Sequence, residues 1–330
     1  MSLFAKQSKV NRTGDITGWF AARGWGVLCH WLGAPPGSNG GAELSAEEWN
    51  HQVDAFDAKG LADQLAAIGA PYLFITIGQN SGHFLAPNAT YDGYVAIQPS
   101  KCSRRDLVSD LYGYLHPRGI ELLVYLPSGA PANDPVAVER LEWEREGGKR
   151  MVEFQRKWEE IIREWSVRWG TKVRGWWIDG CYFADEMYRH ADVPNFRSFA
   201  AALKAGNIDA IVAFNPGVRT PLVCHTEYED YTAGEIAKAL PECPGAWVER
   251  NGHKARCHVL SYLGETWCKG NPRFPDELVI GYTKYVTNKG GVITWDVPIE
   301  RSGLIPQAYV NQLKAIHTSL CDKEGPKSSM

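Results

Sequence analysis

Apolar positions along this chain recur with two periods. Short runs with little polar interruption read as strands buried on both faces. They are GVLCHW (26–31), PYLFITIG (71–78), IELLVYLP (120–127), VRGWWIDG (173–180), DAIVAFNPG (209–217), PLVCHTE (221–227), CHVLSYLG (257–264) and GGVITWDVP (290–298). Between them lie segments with helical spacing: FDAKGLADQLAAIGA, RRDLVSDLYGYLHPRG, MVEFQRKWEEIIREWSVRWG, PNFRSFAAALKAG and PDELVIGYTKYVTNKGG. The last opens on Pro-Asp-Glu and closes on Asn-Lys-Gly-Gly, a start and a stop for a helix. Alternation of strand and helix predicts a parallel sheet with crossover helices. Eight such strands predict a closed (β/α)₈ barrel of the TIM type. An open doubly wound sheet is the rival, but no GxGxxG follows the first strand. The sixth strand is followed only by a short helical stretch, AGEIAKAL.

Composition narrows the function without naming it. The 330 residues are 44% hydrophobic and 22% charged, a globular balance, and the net charge of −3 leaves no basic footprint for nucleic acid. No apolar run approaches the ~20 residues of a membrane span. The N-terminal MSLFAKQSKVNRTGD lacks the apolar core of a signal peptide. A leading Met-Ser-Leu is also what a replaced leader leaves behind, so cytoplasmic, periplasmic and secreted locations all stay open. Oligomeric state is not legible. Eight cysteines are scattered without CxxC pairs, which argues against zinc or redox use; a disulfide of Cys243 with Cys257 or Cys268 stays open. The sequons at Asn11 and Asn88 are no more than chance for this length. The barrel is expected to occupy residues 1–320, with a polar, frayed tail, CDKEGPKSSM, from 321 to 330.

In a barrel, the C-terminal strand ends form the active face. The polar residues at those ends are His30, Gln79, Asn80, Tyr125, Asp179, Asn215, Glu227 and Asp296. Strand alternation puts Trp177 on the face of Asp179, an indole just below a carboxylate. A lone strand-end aspartate normally caps a loop or pairs with an arginine. Convergence of this one with aromatic and amide groups points instead to a pocket. Carboxylates, indoles, histidine and amides, with no metal spacing and no phosphate loop, suit a sugar and imply no cofactor. Cleaving a glycosidic bond needs two carboxyl groups. Partners for Asp179 crowd CHTEYEDYTAGE (224–235), which carries Glu227, Glu229, Asp230 and Glu235. Cys224 and His225 are adjacent in one run and so point to opposite faces, which disfavours a cysteine nucleophile. His253, His258 and Cys257 fit a turn and a strand start better than a metal site. Trp158, Trp165 and Trp169 stand at helical spacing and read as wall packing.

These segments, in order, resemble the alpha-L-fucosidases of glycoside hydrolase family 29 over most of residues 18–320. GWFAARGWGVLCHWLG is similar to that family's opening, and FDAKGLADQLAAIGAPYLFITIGQNSGHF to its Phe-Asp helix and second strand. RRDLVSDLYGYLHPRGIELLVYLPS resembles its third unit. GWWIDG resembles its Trp-Phe-Asp-Gly, and GGVITWDVPIERSGLIPQAYVNQLKAI its closing strand and helix. The resemblance implies a retaining glycosidase that cleaves an α-L-fucoside or related glycoside through a glycosyl-aspartate on Asp179, with His30, Trp31 and Trp177 lining the sugar site. DYTAGE (230–235) is similar to the family's Asp-Tyr-x-Thr-Pro-Glu, which nominates Glu235 as acid/base, with Glu227 behind it.

Three departures qualify that expectation. The family's His-His pair is replaced by Gln79 and Asn80, with an inserted His83 nearby. Its Trp-Gly-Tyr reads Trp267-Cys268-Lys269. Its usual C-terminal β-sandwich is missing. The first two put fucose itself in question while sparing the scaffold. The rival reading is a catalytically inactive sugar-binding barrel that lacks a second carboxyl group near Asp179. Lyase-like chemistry with His83 as base has nothing positive behind it.

Overall fold

The computed structural model describes residues 14–33, 44–144 and 149–321. Residues 322–330, most of the expected tail, and the sequon at Asn11 lie outside the described residues. Among the described residues nine strands form: β1 (Trp25–Cys29), β2 (Tyr72–Thr76), β3 (Glu121–Pro127), β4 (Gly175–Asp179), β5 (Ile211–Phe214), β6 (Trp247–Arg250), β7 (His253–Arg256), β8 (His258–Tyr262) and β9 (Val292–Val297). Seven make one curled, all-parallel sheet in the order β5-β4-β3-β2-β1-β9-β8, wrapped by helices, an α/β fold.

The expected eight-strand closed barrel is corrected to this seven-strand sheet, open between β5 and β8. The run at 221–227 does not become a strand. Pro221 has no N–H to offer a ladder. The chain then turns instead around the buried Glu229, whose Oε1 accepts the His225 N–H at 2.6 Å. Nor is AGEIAKAL helical. Residues 230–236 run extended across the gap without forming a regular strand. Asp230 N–H donates to Val212 O of β5 at 2.8 Å, and Thr232 and Ile236 N–H donate to Arg256 and Leu260 O on the β8 side at 2.9 and 3.0 Å. Gly234 makes that approach possible, because it sits at φ +65° and a Cβ there would lie 1.9 Å from the His258 carbonyl oxygen.

Strand alternation divides the core in two. Outward side chains join the helices in a large layer that includes Trp158, Trp165 and Trp169, the wall packing their spacing predicts. Burying each such side chain contributes roughly 1.5–3 kcal/mol. Inward side chains make a second, smaller cluster: Leu28, Phe74, Leu123, Tyr125, Trp177 and Leu260 among them. The short helix Gly18–Arg23 closes the N-terminal end with Phe20, whose ring meets Tyr72, Tyr231 and His258 at 5.0–5.5 Å. The opposite end is left for polar groups.

Asp57, Asp106 and Asn195 cap their helices, each accepting a backbone N–H from the first turn. Asn88, of the second sequon, is buried and does the same, its Oδ1 accepting from Tyr91 N–H at 2.7 Å. The β6–β7 hairpin turns through Asn251-Gly252, both at positive φ, a turn signal that the reading of the sequence passed over. No disulfide forms among the described residues; Cys243 and Cys257 are free thiols with their sulfurs 3.7 Å apart. No helix among the described residues is long and apolar enough to cross a membrane.

Candidate active site

Asp179 ends β4 at the polar end of the sheet, and the polar ends of neighbouring strands close around it. Its Oδ1 accepts the Gly180 backbone N–H at 2.8 Å and the Asn215 Nδ2 at 2.8 Å. Its Oδ2 accepts the Tyr125 hydroxyl at 2.5 Å. Tyr125 in turn accepts from Gln79 Nε2 at 2.9 Å, and its ring stacks on Trp177 at 5.2 Å. Trp177 is buried one layer below, its indole N–H donated to Ala233 O at 2.9 Å. The indole beneath the carboxylate is where alternation predicts it. It supports the site from below.

The second carboxyl group is Glu235, placed by the extended segment that crosses the gap. Its Oε2 accepts the same Asn215 Nδ2 at 2.6 Å. Burial first, and then the charge of Asp179, push the Glu235 carboxyl up to about 7. Such a group holds its proton near neutral pH. Because both acceptor oxygens sit on one nitrogen, they are no farther apart than the ~5.5 Å associated with retaining glycosidases, and well short of the ~6.5–9.5 Å of inverting ones.

His30 follows β1 and lies against the buried Asp296 of β9, its Nδ1–H donating to Oδ1 at 2.8 Å. Asp296 Oδ2 accepts the Cys268 N–H at 2.7 Å, so this carboxyl group ties His30 to the loop that carries Trp267. That bond assigns the Nδ1 proton and leaves Nε2 as the free ring nitrogen. Trp267 stands edge-on to His30 at 6.3 Å and to Tyr262 at 4.9 Å.

Other expected residues fall elsewhere. Trp31 follows His30 and therefore points outward; it is buried against Trp49 and Phe56 in the outer layer, not in the pocket. Glu227 is exposed in the turn that replaces the expected sixth strand, apart from the Asp179 network; its carboxyl group accepts the Thr226 hydroxyl at 3.4 Å. His83 is buried beside Trp49, and burial together with the Lys101 charge pushes its pKa down to about 4. It stands outside the same network. Asn80 is exposed, its carbonyl taken by Asn133 N–H at 2.8 Å. Asn215 and Asp296 belong to the strand-end group but had no role assigned; they prove to be connectors. Tyr182, just past the strand end, was missed, and its hydroxyl lies 3.4 Å from Asp179 Oδ1. Its only signal was position, two residues beyond the Asp-Gly turn. No cluster of metal-ligating side chains is found among the described residues.

No family model matches the sequence, and no curated protein does either. Solved structures do match. The endo-fucoidan hydrolase MfFcnA9 of glycoside hydrolase family 107 aligns with a TM-score of 0.74 at 19% identity, over 94% of this chain and 65% of that one. A second family 107 endo-fucoidan hydrolase, MfFcnA4, gives 0.72 at 19% identity, over 94% and 54%. A family 29 alpha-L-fucosidase from Bacteroides thetaiotaomicron gives 0.61 at 17% identity, over 94% and 74%. The chain has a fucosidase-like glycoside hydrolase fold. It spans only about half to two thirds of the two fucoidan hydrolases. At these identities the likeness is one of fold.

Proposed function

We propose that the protein is a retaining glycoside hydrolase acting on an α-L-fucoside or a related glycoside, with Asp179 as nucleophile and Glu235 as acid/base. One observation carries this reading: a single amide nitrogen of Asn215 joins the two carboxyl groups, one of which has its pKa raised to about 7. In the first half-reaction an Asp179 oxygen attacks the anomeric carbon as the glycosidic C–O bond breaks. Glu235 gives its proton to the departing oxygen. In the second, Glu235 takes a proton from water, whose oxygen attacks the same carbon and releases Asp179. Tyr125, Gly180 and Asn215 hold the nucleophile in place. His30, Trp267 and Gln79 supply the polar and aromatic surround for sugar hydroxyls.

Asp179→Asn tests the proposal. Turnover should be lost while the fold remains, since the site lies at a strand end, and azide should partly restore cleavage of an activated aryl glycoside by taking the nucleophile's place. Turnover at the parent rate in Asp179→Asn would end the proposal. Binding of sugars by a parent protein that turns over none of them would leave a catalytically inactive sugar-binding protein instead.

A further inference from the structure

Cys243 and Cys257 stand fourteen positions apart, a spacing that matches no redox motif, yet the fold brings their sulfurs to 3.7 Å with both side chains buried. Cys257 sits at the joint between β7 and β8 and is fixed by its backbone. Its N–H donates to Ala246 O at 2.9 Å, and its carbonyl accepts the N–H of Val292 in β9 at 2.9 Å. Cys243 lies within residues 237–246, which are neither helix nor strand. That stretch continues the segment carrying Glu235 and leads into β6. Much of what holds it comes from the helix Asp276–Asn288 and the residue after it. The Tyr282 hydroxyl donates to Pro241 O at 2.7 Å, Cys243 N–H donates to the Tyr285 hydroxyl at 3.2 Å, and Lys289 Nζ donates to Cys243 O at 3.0 Å.

The two thiols are not equivalent. The hydrogen bond from the Cys257 thiol, helped by the Lys289 charge and opposed by burial, lowers the pKa of Cys243, and the same bond raises that of Cys257. Cys243 is therefore the attacking thiol of the pair and Cys257 the resolving one. A disulfide is about 2.05 Å long, so the sulfurs have roughly 1.7 Å to close. The irregular stretch supplies that movement while the Cys257 backbone stays in its ladder.

We propose that Cys243 and Cys257 form a redox-active pair whose closure to a disulfide staples the stretch after Glu235 to the start of β8. The oxidant is a low-molecular-weight disulfide such as oxidised glutathione. The Cys243 thiolate attacks one of its sulfurs and expels a thiolate, which takes up the proton that Cys243 gave away. Cys257 then loses its proton, attacks the Cys243 sulfur of the mixed disulfide and expels the second thiol. The two protein thiols together lose two electrons and two protons, and the oxidant leaves as two thiols. This pair stands whether or not the glycosidase reading holds.

The full chain is incubated in glutathione buffers of rising oxidised share, just below its melting temperature, where local opening admits the oxidant. Free thiols are then blocked with N-ethylmaleimide in denaturant and the chain is mapped by mass spectrometry. Peptides joined through Cys243 and Cys257 are expected, in a fraction that rises with the oxidised share and is lost in dithiothreitol. The linked protein should melt roughly 3 °C or more above the reduced one, because the bond restricts the unfolded chain. Cys243→Ser and, independently, Cys257→Ala should remove that rise. If both cysteines are still alkylated at every glutathione ratio, or join other cysteines instead of each other, the pair is overturned. A link that leaves the melting temperature unchanged, or a rise that persists in both variants, overturns the staple.

Discussion

Asp179 and Glu235 share one hydrogen-bond donor, the Nδ2 of Asn215, at 2.8 and 2.6 Å. The sharing ties the proton affinity of one carboxyl group to the charge of the other. Glu235 is held protonated up to about 7 by burial and by the neighbouring charge, and that proton is what the leaving oxygen requires. The reactive form is therefore lost as pH rises, and kcat/KM on a substrate with a poor leaving group should fall through about pH 7. In Glu235→Gln that alkaline limb should vanish, together with roughly 10²–10⁴-fold of activity on such a substrate, while an activated aryl glycoside is largely spared. If Glu227→Gln shows this selective pattern and Glu235→Gln behaves as the parent, the acid/base role belongs to Glu227.

Tyr125→Phe isolates the second support of the nucleophile. The phenol hydroxyl lies 2.5 Å from Asp179 Oδ2, and its ring stacks on Trp177. Phenylalanine keeps the stack and removes the donor. A hydrogen bond to a charged group contributes about 1.5–3 kcal/mol, so kcat should drop about 10- to 100-fold with little change in melting temperature. Equal losses in kcat and in stability would mark the hydroxyl as a structural contact.

The position of Asp179 was legible because a strand announces itself in five residues: Trp176, Trp177 and Ile178 bury it, and Gly180 ends it at φ +80°. Local pattern also carried the start and stop of the helix Asp276–Asn288 and six of the other sheet strands. It could not carry the gap between β5 and β8. Residues 230–236 are held there by backbone bonds to Val212, Arg256 and Leu260, partners that no local window contains. The same blindness hid Asn215 as the link between two carboxyl groups. It also put Trp31 in the pocket by resemblance, although one step of alternation from His30 turns it outward.

Specificity should follow Gln79. One N–H of its Nε2 is given to the Tyr125 hydroxyl, so it offers a sugar its carbonyl oxygen and one remaining neutral N–H, and Asn80 is exposed beside it. Histidines in these places would donate and accept at fixed ring positions, and more strongly when charged. Simple aryl α-L-fucosides should therefore be cleaved at least ~10-fold less efficiently than the substrate this pocket prefers. A panel of aryl glycosides read as kcat/KM checks this. An aryl fucoside at the head of that panel would show the replacement to be neutral.

Glu229 gives the protein a stability that depends on pH. Its carboxyl is fully buried, and that burial raises its pKa from an ordinary 4.5 to about 8, although His225 and Phe214 N–H groups donate to it. Between those two values the folded protein keeps a proton that the unfolded chain has released. Stability then falls as pH rises across the window, by on the order of a few kcal/mol, and levels off above about 8. Glu159 and Glu235, each raised to about 7, add slopes of the same sign, so a comparison with a variant is needed. Glu229→Gln keeps an oxygen for the His225 N–H and removes the titration. Denaturant midpoints taken from about pH 5 to pH 8.5 should decline less steeply in Glu229→Gln than in the parent, with the two curves diverging at the alkaline end. Parallel curves would mean that Glu229 does not hold a proton in the fold.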